Sequence, residues 1–410
     1  MSDVLKNTLT LSDAVRMSKP LRFNMMFKPI GSLCNLNCSY CYYLDKVGLY
    51  EKESVMPVEI LEKCIREYIE INDNEVITFD WHGGEPLLLG LDYFETIVRL
   101  QRKYKGDKRI YNTIQTNGTL LNAEFASFFK SNDFLVGISI DGPQNIHDRY
   151  RKDKGDTSTF YKVLKGIELL HRYGVEFNTM TTVNKASEGR GLEVYDFLKK
   201  IGSRYMQFMP VLEYVDESDK ITSPDSADSR LTSWSVNPLE YGAFMCEIFD
   251  YWVKNDVGIY YVNLFDSTLA NYCGVSPGTC VYSETCGANA VVEHNGDVYP
   301  CDHFVYPKYK LGNIKEQALK EIVASNKMTE FGINKRNKLP ARCLRCKYFH
   351  LCHGECPKHR FDKMESGGDG LNSLCVGLYN FFSHVEPYMK KMRDLYMLNM
   401  PPSEIMSYDM

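Results

Sequence analysis

The sequence predicts an α/β fold: a partial (β/α)6 barrel over about residues 21–240, followed by a smaller cysteine-rich domain over 276–388. Two observations predict it. Apolar, β-prone runs alternate with segments of helical spacing through the first half, and such alternation gives a parallel sheet with right-handed crossovers. Nine of the 14 cysteines then fall between Cys273 and Cys375. Six strand–helix units are too few to close an eight-unit barrel, so an open one is expected.

The elements follow in chain order. Residues 1–20 form an N-terminal extension whose sequence, MSDVLKNTLTLSDAVRMSKP, lacks the basic start and apolar stretch of a signal peptide. It leaves no room for a peptide-recognition domain ahead of the first strand. Strands are expected at Leu21–Ile30, Glu75–Trp81, Arg109–Gln115, Phe134–Ile140, Val175–Val183 and Tyr205–Val211. Between them, Pro57–Asn72 places Ile60, Leu61, Cys64, Ile65, Tyr68 and Ile69 on one helix face, with Pro57 suited to the first turn. Leu91–Tyr104, Phe160–Tyr173 and Leu192–Ile201 show similar spacing.

Polar or Gly-rich residues recur where these strands end: His82-Gly83-Gly84-Glu85, Gln115-Thr116-Asn117-Gly118 and Ser139-Ile140-Asp141-Gly142. Each alone is a turn. Their repetition at the carboxyl ends of strands, where such folds bind ligands, points to one shared mouth. Residues 213–238 are polar, Ser-rich and acidic and are expected to form a surface insertion, either a solvated loop or an acidic lip for a basic peptide. A helical segment within 241–275, centred on Tyr241–Val257, links to the cysteine-rich domain, and 389–410 form a C-terminal tail.

Composition narrows the class. Of 410 residues 44% are hydrophobic and 25% charged, an ordinary globular balance. A net charge of −5 gives no footprint for nucleic acid, and no run approaches the roughly 20 apolar residues of a membrane span. These features point to a cytoplasmic protein. Disulfides are disfavoured there, so clustered cysteines read as metal ligands or catalytic groups.

The first cluster, Cys34-x3-Cys38-x2-Cys41, directly follows the first expected strand. Three thiolates can hold three irons of a cubane and leave the fourth open to a small chelate. Zinc normally takes four ligands, and no His or fourth Cys stands close by. Tyr40, before the last Cys, supplies an aromatic wall.

This loop resembles the signature of the radical S-adenosylmethionine (SAM) enzymes, and GGEP at Gly83–Pro86 resembles that superfamily's second motif. The strings WHGGEP, IQTNGTLL, VGISIDGP and GDVYPCDHF are similar to those of the anaerobic sulfatase-maturating enzymes, which carry a C-terminal SPASM domain. The resemblance runs from about Met25 to about Tyr388. It implies a TIM-like partial barrel of the radical SAM type, a 4Fe–4S cluster on Cys34, Cys38 and Cys41, and SAM contacts from Tyr40, Gly84, Ser139, Arg151 and Leu212.

Eight further cysteines stand in two groups: Cys280, Cys286 and Cys301, then Cys343, Cys346, Cys352 and Cys356, followed by Cys375. Eight thiolates suit two 4Fe–4S clusters or two zinc sites equally by spacing. The radical SAM loop in the same chain, whose chemistry needs electron carriers, favours iron and sulfur. The family pattern assigns Cys280, Cys286, Cys301 and Cys356 to one auxiliary cluster and Cys343, Cys346, Cys352 and Cys375 to the other. Cys64 and Cys246 read as packing residues, and Cys273 has no assigned role.

The resemblance implies that a 5′-deoxyadenosyl radical abstracts a Cβ hydrogen from a Cys or Ser of an unfolded or nascent sulfatase polypeptide. Loss of a proton and a second electron then leads to Cα-formylglycine, with a low-potential donor such as ferredoxin or flavodoxin supplying the first electron. Asp302, in the YPCD string, takes the position of the family's catalytic base, and burial beside a cluster is expected to raise its pKa. Two other readings remain open on the residues alone. One is a different SPASM peptide-modifying enzyme, making thioether crosslinks or a peptide-derived cofactor. The other is a zinc-binding interaction module.

Overall fold

The computed structural model describes residues 21–49, 55–222, 230–287, 289–361 and 370–408, so the N-terminal extension lies outside the described residues. The six apolar runs become β1 (Asn24–Lys28), β2 (Val76–Trp81), β3 (Arg109–Thr116), β4 (Phe134–Ser139), β5 (Phe177–Val183) and β6 (Tyr205–Pro210). Each pairs in parallel with the next. Helices α1 (Val58–Ile71), α2 (Leu91–Tyr104), α3 (Ala123–Ser131), α4 (Gln144–Tyr150), α5 (Phe160–Tyr173) and α6 (Gly191–Lys200) lie between them. Alternation along the strands explains the layering. On β2, β3 and β5 the fully buried positions include Phe79, Ile114 and Val183, which join the hydrophobic core. The intervening half-buried positions carry Asp80, Thr113, Gln115, Asn178 and Thr182, a polar face away from that core.

The sheet extends beyond the six units. After the hairpin β7 (Tyr214–Val215) with β8 (Arg230–Leu231) and helix α7 (Pro238–Asn255), the short β9 (Tyr261–Val262) adds to β6 and leads into α8 (Asn263–Tyr272). On the other edge β10 (Asn289–Glu293) pairs in parallel with β1, in register from Asn24↔Asn289 to Lys28↔Glu293. The strands β11 (Asp297–Tyr299) and β12 (Gly312–Asn313) follow antiparallel. The resulting order is β12-β11-β10-β1-β2-β3-β4-β5-β6-β9. The cysteine-rich region is thus joined to the barrel by backbone pairing as well as by side chains.

Two expectations change. Residues 213–238 are not wholly a surface insertion: Glu213 is buried and ion-paired with the equally buried Lys358, and Val236 is in the core. An unpaired charge of either sign there would be costly, which ties the start of this segment to the cysteine-rich region. Residues 223–229 lie outside the described residues. Nor do residues 389–410 separate as a tail. Helix α10 (Cys375–Met397) runs across that boundary and packs on α7, with Phe381, Phe382, Val385, Met389 and Met392 buried. No helix is long and apolar enough to cross a membrane, among the described residues.

Candidate active site

The loop after β1 carries Cys34, Cys38 and Cys41, and the 150–153 segment clasps it. The Asn37 N–H donates to Lys152 O at 2.8 Å and Ser39 N–H to Tyr150 O at 3.1 Å, while Leu36 bridges to Asp153. All three thiols face one pocket shared with Ser32, Tyr43, Leu44, Gly83 and Gly84. Burial pushes the Cys34 thiol up to about 11 and Cys38 up to about 12, and neighbouring sulfurs add to both shifts. Three converging thiols that resist ionising alone fit a cation that would stabilise their thiolates. At Gly84 an added Cβ would lie 2.0 Å from Leu33 O, so only glycine fits where this loop crosses the first.

The three strand-end motifs meet here, as their repetition suggested. Glu85 is fully buried and accepts from the Leu87 N–H at 2.9 Å, the Asn117 N–H at 2.7 Å and the Thr116 hydroxyl at 2.7 Å. Burial nevertheless pushes its carboxyl up to about 7. Asn117 turns its amide toward Cys34 Sγ at 3.8 Å. Asp141, also fully buried, accepts from Tyr40 Oη at 2.5 Å and lies 3.0 Å from Arg151 Nε. The Arg151 guanidinium stands 5.5 Å from the Tyr40 ring centroid. Ser139 accepts from Gln115 Nε2 at 2.9 Å, and Leu212 is buried beyond the end of β6. Tyr40 and Gly84, on loops, thus stand at one mouth with Ser139, the last residue of β4, and Arg151, just past α4.

The eight further cysteines, two of them ahead of β10, fall into two quartets by which thiols act on one another. The thiols of Cys280, Cys286, Cys301 and Cys356 lie near enough to raise one another's pKa, after the larger effect of burial. Cys343 is pushed up by burial and then by Cys375 and Cys346, and Cys352 by burial and, among its neighbours, by Cys375 and Cys343. Cys64 is buried in α1, and Cys273 caps the C-terminus of α8.

Asp302 follows Cys301 and points back at the first loop. Its Oδ2 accepts from Tyr42 Oη at 2.7 Å and lies 3.7 Å from Lys28 Nζ, which is itself buried. Lys28 Nζ sits 3.4 Å from the Tyr43 ring centroid, and the Tyr43 hydroxyl donates to the buried Glu293. The expectation of a raised carboxyl pKa is reversed. Burial does push Asp302 up, but His303, which is protonated at the low pH where this carboxyl would titrate, then Lys28, His82 and the Tyr42 hydroxyl outweigh it and hold the group well below the usual carboxylate range. Burial drives His303 down to about 3 and His82 down to about 4, so both imidazoles are neutral near pH 7. The Lys28 ammonium and Tyr42 O–H are then the partners that keep Asp302 ionised.

Sequence reasoning did not single out Lys28, Tyr42, Glu85 or Asp141. Glu85 and Asp141 were within reach, since each is the acid of a strand-end motif. Lys28 and Tyr42 give no local signal, because their partner is more than half the chain away.

Comparison with known proteins identifies the family. Residues 29–198 match the model of the Radical SAM superfamily, and residues 280–347 match SPASM, described as an iron–sulfur cluster-binding domain. Fold and site together define a radical SAM enzyme with an iron–sulfur C-terminal domain. The chain is 46% identical over 395 residues to the serine-type anaerobic sulfatase-maturating enzyme of Bacteroides thetaiotaomicron, covering 95% of each. It is 35% identical over 365 residues to the cysteine-type enzyme of Clostridium novyi, covering 88% of this chain and 94% of that one. The solved structure of native anSMEcpe with bound AdoMet and Cp18Cys peptide superposes with a TM-score of 0.81 at 34% identity, covering 91% of this chain and 99% of that one. The chain belongs to the anaerobic sulfatase-maturating enzymes.

Proposed function

We propose that the chain oxidises a Cys or Ser side chain of an unfolded or nascent sulfatase polypeptide to Cα-formylglycine in the cytoplasm. One observation carries the reading. The hydrogen bond from Tyr42 to Asp302 joins the residue after Cys41 to the residue after Cys301, so the radical-initiating loop and an auxiliary-cluster ligand share one wall. When bound, SAM and the cluster on Cys34, Cys38 and Cys41 supply the 5′-deoxyadenosyl radical, and the auxiliary clusters on the two quartets supply electron acceptors.

The chain's own residues do the rest. Tyr40, Gly84, Ser139, Arg151 and Leu212 hold SAM at the mouth, with Asp141 fixing Tyr40 and Arg151. Asp302, ionised through Lys28 and Tyr42, accepts the proton that the substrate must lose after hydrogen abstraction. Buried walls around it keep that proton from exchanging with water. The first electron comes from a low-potential carrier such as ferredoxin or flavodoxin. The test is Asp302→Asn in anaerobically reconstituted protein, with SAM, reductant and sulfatase-derived peptides read by mass spectrometry. SAM cleavage should persist while formylglycine falls by about 100-fold or more; unimpaired product would remove Asp302 from the base role.

A further inference from the structure

Helix α9 (Asn326–Asn337) carries Lys335, which is 1% exposed. Its Nζ donates to the backbone carbonyls of Cys280 at 2.6 Å, Val281 at 2.8 Å and Ser283 at 2.5 Å. Three acceptors around one nitrogen require three N–H bonds, which only the ammonium form has. A full positive charge is therefore buried, and among the described residues no carboxylate forms an ion pair with it. Such a charge is costly unless an anion faces it. Burial works against that charge, and the sulfurs of Cys286, Cys356 and Cys280, ahead of the Glu355 carboxylate, favour it. The same helix also grips a second ligand loop. The Cys286 N–H donates to Gly332 O at 3.1 Å, and a Cβ on Gly332 would lie 2.7 Å from Cys286 O.

We propose that Lys335 is a positioning residue that locks the Cys280–Ser283 loop and, as a buried counter-charge, raises the reduction potential of the cluster on Cys280, Cys286, Cys301 and Cys356. This rests on the function proposed above. After hydrogen abstraction the substrate radical would lose its proton to Asp302 and one electron, which a cluster held by these four cysteines would accept, as its C=S or C=O bond forms. The electron passes on to the oxidised form of the same carrier that donated the first, so none is consumed overall. A thiolate-ligated cluster gains one negative charge on reduction, and a fixed cation beside it favours that state. Lys335 is held by the Cys280–Ser283 carbonyls and is not among the residues lining the pocket of Cys34, Cys38 and Cys41, so its influence on the reaction runs through the cluster.

The test uses the full reconstituted protein, with iron content, an EPR-monitored redox titration and circular dichroism measured on Lys335→Gln and Lys335→Met. Lys335→Gln keeps N–H donors without charge. It should retain about twelve irons and lower one auxiliary midpoint by about 59 mV, a tenfold change in the equilibrium, while the other auxiliary midpoint stays put. Lys335→Met should show the same shift or lose about four irons as the loop loosens. A wild-type midpoint with full iron in Lys335→Gln would overturn the proposal. Loss of the folded chain in both variants would also overturn it, leaving an ordinary packing residue. These readouts need no peptide, so they separate failure here from failure of the sulfatase reading.

Discussion

His147 shows how a residue away from the reacting atoms sets a pH limit. It is fully buried, its Nδ1 accepts from the Asp141 N–H at 3.4 Å, and its Nε2 lies 3.0 Å from Thr159 Oγ1. The Thr159 hydroxyl donates to Arg151 O at 2.7 Å, so the ring donates from Nε2 and is neutral. Burial pushes its pKa down from 6.5 to about 4. Between those values the unfolded chain binds a proton that the folded chain refuses, so stability is lost as pH falls from 6.5 toward 4. The cost approaches about 1.4 kcal/mol per pH unit in that window. Denaturant midpoints taken anaerobically between pH 7 and 5.5 should fall less steeply for His147→Gln; equal slopes would discount this residue. The sequence disclosed the ends of this network and not its middle. Asp141 sits in a visible turn motif, whereas Arg151 entered only through the family resemblance, because nothing near it in the chain marks it as the partner of a buried acid.

At the scale of elements, the tightest constraint is the crossing of α7 and α10. A Cβ on Gly377 would fall 1.8 Å from Pro238 O, and one on Gly242 would meet the Gly377 backbone at 2.4 Å. Backbone cannot move aside as a flexible side chain can, so Gly377→Ala must push the helices apart. A loss of about 1–3 kcal/mol is expected. Because Cys375 opens α10, the displacement should also release about four irons, measurable by iron assay beside a thermal melt. Retained stability and iron would show that the helices can separate freely. Neither glycine was legible as a contact, since a missing side chain is informative only once the partner helix is known. The six strands were legible because each is a short apolar run bounded by turn residues. Helices α3 and α4 were missed for their brevity, although Asn122, whose side chain accepts from the Phe125 N–H at 2.9 Å, is the kind of cap that announces a helix.

Across the whole molecule, two kinds of restraint hold the cysteine-rich region: proposed iron–sulfur ligation and the backbone ladder between β1 and β10. They predict an uneven response to cluster removal. Stripping iron anaerobically with chelator and oxidant should speed amide exchange in 276–287 and 341–361, where the quartets tie loops together. The β10 and β11 amides should stay protected by their strand partners. Uniform loss of protection would mean that the clusters hold the sheet as well. That ladder was beyond sequence reasoning, which has no means of pairing two strands so far apart in the chain. It also bears on how the protein is made. Asn24 and Asn289 are 265 positions apart, and a ribosome adding about 5–20 residues per second leaves the β1 edge without its partner for tens of seconds. For that interval the strand leading into Cys34 presents bare amides and carbonyls to every other nascent chain nearby. Ribosome-bound truncations ending before residue 289 should therefore lean on chaperones far more than chains released after it.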